Sequence, residues 1–356
     1  MSQLIFSILF IGLEILIIHN GNLTEQKRKP IYFFLFFAQF FVFAGFRGLT
    51  IHNDTISYVT HFVQDVSSFG HFWEYDHDER FGIGYLFVEK FIHNNITSTP
   101  SGFILVTSLI VCLCSLFFFY KKSEHMGISL FLFYVSGSFF TQFGVLRESF
   151  AVFVGYVALH YLERDKIVKS FVFASLAFFF HKSAIILLFI ILLNRLELKR
   201  RTKILIFCGV VVILYSFAEF INQVAPLLAM EESIYFVHDN AFTSINGLFN
   251  GSVSILSTLL IYKMVKNANR SGVPVFINNI LFLCLLVSVL TLRLPILNRY
   301  LMFFQPYLYV LVSNYTFYTK ENKRLAVLAT LVIASDLIIK QWLRPDWVSI
   351  FPYSFY

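Results

Sequence analysis

Four places in the chain set a fixed positive charge beside a group that could share its chemistry. They are Arg47 ahead of Asp54, Arg147 next to Glu148, His181 next to Lys182, and Arg293 with Arg299. A guanidinium is planar, keeps its charge near lipid and donates two parallel charge-assisted hydrogen bonds, so several together suit a phosphate or diphosphate. A lipid-linked diphosphate meets that description. Any one of these arginines is equally explained by snorkelling to lipid headgroups, and His181 by a hydrogen bond between helices. As a set on one side of a bundle they read as an anion site, because retention of Lys and Arg on the cytoplasmic side predicts their absence there. A metal is not expected: the dense acidic run Asp76-His77-Asp78-Glu79 lacks the spacing of a Ca²⁺ loop and reads as a solvated face.

The elements that position these residues must lie in a bilayer. Of 356 residues, 57% are hydrophobic, 19% aromatic and only 14% charged, where a soluble domain carries about 25% charged residues. Mean hydropathy is +0.71. Soluble enzymes, disordered scaffolds and secreted disulfide domains are excluded. The net charge of +7 comes from 28 Lys and Arg against 21 Asp and Glu, and it gathers in short basic clusters: Lys27 to Lys29, Lys121 with Lys122, Arg164 to Lys169, Arg195 to Lys203, Lys263 to Arg270, and Lys320 to Arg324. Topology explains them better than a nucleic-acid partner. Between successive clusters lies enough apolar chain to cross and return. The expectation is an all-α polytopic membrane bundle of about twelve crossings with both termini outside. The spans fall at 3–19, 31–46, 103–120, 126–144, 147–162, 167–181, 183–194, 204–221, 252–265, 275–292, 300–318 and 325–342. The two spans flanking His181 are short for a crossing unless the bilayer thins or they form a re-entrant hairpin. The first stretch lacks a basic n-region and a cleavage site and reads as a retained span.

The chain reads as one integral membrane domain over 1–356 with two outer segments. Residues 47–102 are too long for a turn and too aromatic for a disordered loop, so helices at the membrane surface are expected there. Residues 222–250 form a second, mildly acidic outer loop. The inner loops have no GxxxxGK[ST] and no room for a nucleotide-binding domain. Cys112, Cys114, Cys208 and Cys284 lie in apolar runs, without metal or disulfide spacing, as packing residues.

The spacing then reaches a known family. The chain resembles the EpsG-type branch of the bacterial Wzy polysaccharide polymerases over most of its length. The resemblance rests on Arg47 followed by Asp54-Thr55 and Tyr58, Phe81-x-x-Gly84-Tyr85, Leu146-Arg147-Glu148 with Ala151, Phe180-His181 with Ser183-Ala184, Arg299-Tyr300, and Pro352-Tyr353. It departs at Gly82, where an acid is expected, so that a catalytic acid is missing at that site unless Glu79 substitutes, and at His52-Asn53, where a glycine is usual. The resemblance implies an outward-facing enzyme of the bacterial cytoplasmic membrane. It would join polyprenyl-diphosphate-linked oligosaccharide repeat units into capsule, exopolysaccharide or O-antigen, with a chain-length regulator and a flippase as partners and no cofactor.

On that reading, Arg47, Arg147 and Arg299 grip the diphosphate, with Arg293 in reserve. His181 is the favoured base for the acceptor hydroxyl, with Asp54 the other choice and Glu148 behind both. A diphosphate leaves as a stable anion, so cations matter more than a general acid. Tyr58, Tyr85 and Tyr300 could stack on sugars, although an ordinary interfacial belt is the stronger explanation. The rival functions are a flippase or transporter for the same glycans, a membrane acyltransferase centred on the histidine, and a non-catalytic assembly protein.

Overall fold

The computed structural model describes residues 2–49, 51–52, 54–66, 81–196, 199–216, 245–269, 272–292, 294–343 and 353–354. Among these residues the fold is all-helical, with no strand. In chain order the helices are α1 (Ser2–Asn20), α2 (Glu25–Gly45), α3 (Thr55–Thr60), α4 (Ile83–Asn95), α5 (Pro100–Lys122), α6 (Met126–Val135), α7 (Ser138–Gly144) and α8 (Leu146–Leu162). They continue as α9 (Ile167–Phe180), α10 (Ile186–Leu196), α11 (Arg200–Ser216), α12 (Ile245–Ala268), α13 (Val275–Thr291), α14 (Asn298–Leu301), α15 (Gln305–Tyr315) and α16 (Lys320–Leu343).

Each expected span finds a helix, yet length separates helices from full crossings. Four are long and apolar enough to cross, within α1, α5, α12 and α16, and the α6–α7 pair, bent by 65°, makes a fifth. By this measure the described residues support four or five crossings where about twelve are expected from the charge alternation. The shortfall is geometric: an eleven-residue helix such as α15 rises only about 16 Å, against a hydrocarbon core of about 30 Å. The break in α6–α7 falls at Gly137, whose φ of 78° places it in the left-handed region, which glycine enters without a Cβ clash.

Local chemistry fixes the helix ends. Thr99 caps α5 by accepting the Gly102 N–H at 3.2 Å, and Pro100 takes the first helical position, where its missing N–H costs nothing. The basic ends are tied together: Lys122 pairs with Glu163 across the ends of α5 and α8, and Lys263 with Glu321 at 2.7 Å across α12 and α16. Helix pairs α8–α9, α12–α16, α12–α13 and α2–α5 form the main packing. A stack of Phe36, Phe40, Phe133, Phe139 and Phe143 fills the space between α2, α6 and α7.

In the segment 47–102, α3, a π-helical turn (His61–Asp65) and α4 stand where surface helices are expected. Buried Tyr58, Phe62, Tyr85 and Ile92 dock them on the bundle. Of the second expected outer segment, residues 245–250 belong to α12 and the rest lies outside the described residues. So do Arg293, Glu79 and the run Asp76-His77-Asp78.

Candidate functional site

Helices α8 and α9 run antiparallel from the basic turn at Arg164–Lys166, so the first turn of α8 and the last turn of α9 meet at the opposite end of the pair. Glu148 occupies that first turn, where the positive end of the helix dipole favours a carboxylate. His181 follows α9 in an extended conformation, φ −157° and ψ 135°. Its Nε2 lies 3.5 Å from Glu148 Oε1, and Arg299 Nε of α14 lies 3.3 Å from the same oxygen. The Glu148 side chain is only 5% exposed, while that of Arg299 is 31% exposed. The carboxylate is thus the buried hub of an ion network whose outer member is Arg299.

His181 also organises the turn that follows it. The Ser183 N–H donates to His181 Nδ1 at 3.2 Å, and the Ser183 hydroxyl lies 2.7 Å from the same nitrogen. A backbone N–H can only donate, so Nδ1 is the unprotonated nitrogen and the proton of the neutral ring sits on Nε2, facing Glu148. The imidazole between the two helices is therefore neutral, and its lone pair is already engaged.

Arg147 precedes Glu148 and turns toward the aromatic residues of α3 and α4. Its Nε lies 3.4 Å from the Tyr58 hydroxyl, and its guanidinium stands 5.2 Å above the Phe81 ring and 6.0 Å from the Tyr58 ring. Nη1 is buried with no hydrogen-bond partner among the described residues. Behind this wall His61 pairs with Glu89 at 2.8 Å, both buried, and the His61 ring stacks on Phe81 at 3.8 Å. Sequence reasoning missed this pair. The spacing of Tyr85 and Glu89, four apart and hence on one helix face, is the signal that points to it, whereas nothing in the sequence marks His61.

The expected site residues divide into two groups. Arg147, Glu148, His181 and Arg299 come together. Tyr58 and Tyr85 adjoin them but are buried with their ring centroids 5.6 Å apart, forming the wall rather than an open sugar platform. Tyr300, half-buried, packs on the core beside Arg299. Arg47 does not join the cluster. It is 1% exposed, and its fork donates to the carbonyls of Ala44 at 2.6 Å and Phe143 at 3.1 Å and to the Ser108 hydroxyl at 2.8 Å. It thereby closes the C-terminal turns of α2 and α7, where a cation meets the negative end of each dipole, and fixes the point from which α8 departs. The end of α2 is held from its other side by Tyr353, whose hydroxyl donates to the Phe43 carbonyl.

Asp54 begins α3, one turn from Tyr58. The two departures from the family pattern also have structural causes. His52 takes the left-handed φ of 65° that a glycine would adopt freely. Its Nδ1 accepts the Asp54 N–H at 3.5 Å, and its ring covers Gly144, where a Cβ would collide with it. At Gly82 a Cβ would come within 2.6 Å of the Phe179 carbonyl oxygen and 2.7 Å of that of Phe180. No larger residue fits while α4 abuts the end of α9 that carries His181.

No curated protein and no solved structure matches the chain. A family model does: that of the EpsG family matches residues 30–355. The match takes in Arg47, the α8 and α9 ends, Arg299 and Tyr353, and the chain belongs to the EpsG family of Wzy-like polysaccharide polymerases.

Proposed function

We propose that the protein joins polyprenyl-diphosphate-linked oligosaccharide repeat units into a surface polysaccharide at the outer face of the bacterial cytoplasmic membrane. The observation that carries this reading is Arg147, a buried guanidinium whose Nη1 has no hydrogen-bond partner among the described residues, beside an Arg–Glu–His network. A charged donor held out of water without a partner is costly, and an anionic ligand with several acceptor oxygens would offset that cost. The outward orientation follows from the site's position at the end of α8–α9 opposite the basic turns, which stay cytoplasmic. About twelve crossings with both termini outside remain our topology.

In this mechanism the diphosphate binds between Arg147 and Arg299. By drawing Arg299 away from Glu148 it frees the carboxylate. Glu148 then takes the proton of the acceptor hydroxyl as that oxygen bonds to the anomeric carbon, and the bond from that carbon to the diphosphate breaks. Polyprenyl diphosphate leaves with the electron pair, neutralised by the two guanidinium groups. His181 holds Glu148 through Nε2–H. Arg47 is a positioning residue that fixes the start of α8, and Tyr58 and Phe81 set the plane of Arg147. A flippase and a chain-length regulator are the partners this activity requires before and during polymerisation.

The grip is tested by binding of farnesyl diphosphate to the purified protein. Arg147→Lys keeps the charge and loses the fork, so it weakens binding at least tenfold relative to farnesyl monophosphate, while the fold, read by thermal unfolding, is retained. Equal binding by wild type and variant returns Arg147 to a purely structural role.

A further inference from the structure

Behind the aromatic wall on which Arg147 lies is a buried polar pair that takes no part in the proposed chemistry. His61 Nδ1 and Glu89 Oε2 are 2.8 Å apart, with side chains 3% and 0% exposed. Their segment is otherwise apolar where it is buried, through Phe62, Phe81, Leu86 and Ile92. Stability alone does not account for such a pair. Taking two charges out of water costs about as much as their attraction returns, and apolar side chains of the same volume are often as stable or more so. What a buried pair can add is a single orientation, because only one arrangement of the two elements brings its polar atoms together.

The elements that carry the pair are built to hold that orientation. His61 opens the π-helical turn His61–Asp65, a rare form that recurs at functional sites. Lys90, next to Glu89 on α4, donates to the carbonyl of Val66, the residue that ends the turn, at 2.8 Å. The turn is thus clamped to α4 at both of its ends.

Ring contacts carry the orientation to Arg147. The His61 ring stacks on Phe81 with centroids 3.8 Å apart and planes at 17°. The Arg147 guanidinium stands 5.2 Å from the centre of that same Phe81 ring, within the reach of about 6 Å for a cation–π contact. A second path starts at Tyr85, on the same face of α4 as Glu89, whose ring lies 5.8 Å from Phe81 and 5.6 Å from Tyr58. The Tyr58 hydroxyl in turn faces Arg147 Nε. A guanidinium lying on a ring follows its tilt, and a planar fork meets two oxygens of one ligand only in its own plane.

We infer that Glu89 and His61 are a positioning pair for Arg147: the carboxylate fixes the imidazole, the imidazole fixes Phe81, and Phe81 holds the guanidinium in the plane that grips a diphosphate. The last step rests on the diphosphate reading of Arg147.

The test reads the plane of Arg147 and its grip separately, on the full-length purified protein. In ¹⁵N-arginine-labelled protein the Arg147 Nε–H resonance is assigned by its absence from Arg147→Lys, and its proton shift reports the rings beside it. Glu89→Leu is expected to move that resonance toward the position of an unstacked arginine with the thermal midpoint kept, whereas Glu89→Gln, which retains the shape and an acceptor oxygen, leaves it in place. The preference for farnesyl diphosphate over farnesyl monophosphate falls about tenfold in Glu89→Leu, as for the loss of one hydrogen bond to a charged group. In the Arg147→Lys background Glu89→Leu has no further effect on that preference, since a positioning residue and its target are not additive. If Glu89→Leu does not fold, His61→Asn, whose amide still donates to the carboxylate but cannot stack on Phe81, decides in its place. A resonance unmoved in the folded variant, one equally displaced in Glu89→Gln, or additive effects would overturn the assignment. Failure of the diphosphate reading shows differently, as a wild type that binds both farnesyl phosphates equally while the Arg147 resonance still depends on Glu89.

Discussion

In the proposed mechanism the carboxylate and the imidazole of the Glu148–His181 pair take roles opposite to those that residue chemistry alone suggests. Histidine is the ordinary base near neutral pH, and the sequence marks both residues, but it cannot show that the Ser183 N–H occupies Nδ1. That contact is why the proposed mechanism gives the proton to Glu148, which adjoins the ring. Glu148→Gln is therefore expected to lower polymerisation by about 10² to 10⁴, the usual worth of a general base, with farnesyl diphosphate still bound. His181→Gln is expected to lose less, and to leave the pH profile between 5 and 8 unmoved, because Nδ1 is engaged by the Ser183 N–H and the ring is not the group that takes the proton. A profile whose acid limb moves in His181→Gln, measured as initial rate against pH, would return the base to the histidine. Arg47 is a similar case. Its type and position were legible, but its partners, two helix-end carbonyls and a serine hydroxyl on α5, depend on long-range packing that no local pattern encodes.

At the scale of elements, the apolar periodicity and the basic punctuation located the helices of the bundle, while the depth of each helix was not legible. The break at Ser136–Gly137 divides the run 126–144, which hydropathy reads as continuous. The junction of α4 with α9 shows what tertiary contact adds. Gly82 read as a departure from the family pattern; in the structure it is the space that lets α4 touch the carbonyls of Phe179 and Phe180. Gly82→Ala must push these elements apart, at a cost of about 1–3 kcal/mol, as for other overpacked contacts. The expected outcome is a lower thermal midpoint in detergent together with reduced chain growth, since His181 sits at the displaced end. An unchanged midpoint would show that the junction yields at no cost.

The whole molecule is an asymmetric bundle, with basic ends tied by ion pairs at one side and the Glu148 ion network toward the other. Cysteine accessibility tests that asymmetry. On a cysteine-free background, Asn94→Cys at the exposed end of α4 is expected to react with an impermeant thiol reagent in intact spheroplasts, and Arg164→Cys only after lysis; the reverse pattern inverts the orientation. The most direct test of the central claim is reconstitution. Purified protein in lipid nanodiscs, given only its lipid-linked repeat unit, is expected to yield a ladder of lengthening glycans and to release one polyprenyl diphosphate for each new linkage, with Glu148→Gln inactive under the same conditions. A folded protein that binds the repeat unit but yields neither ladder nor released polyprenyl diphosphate would contradict the account.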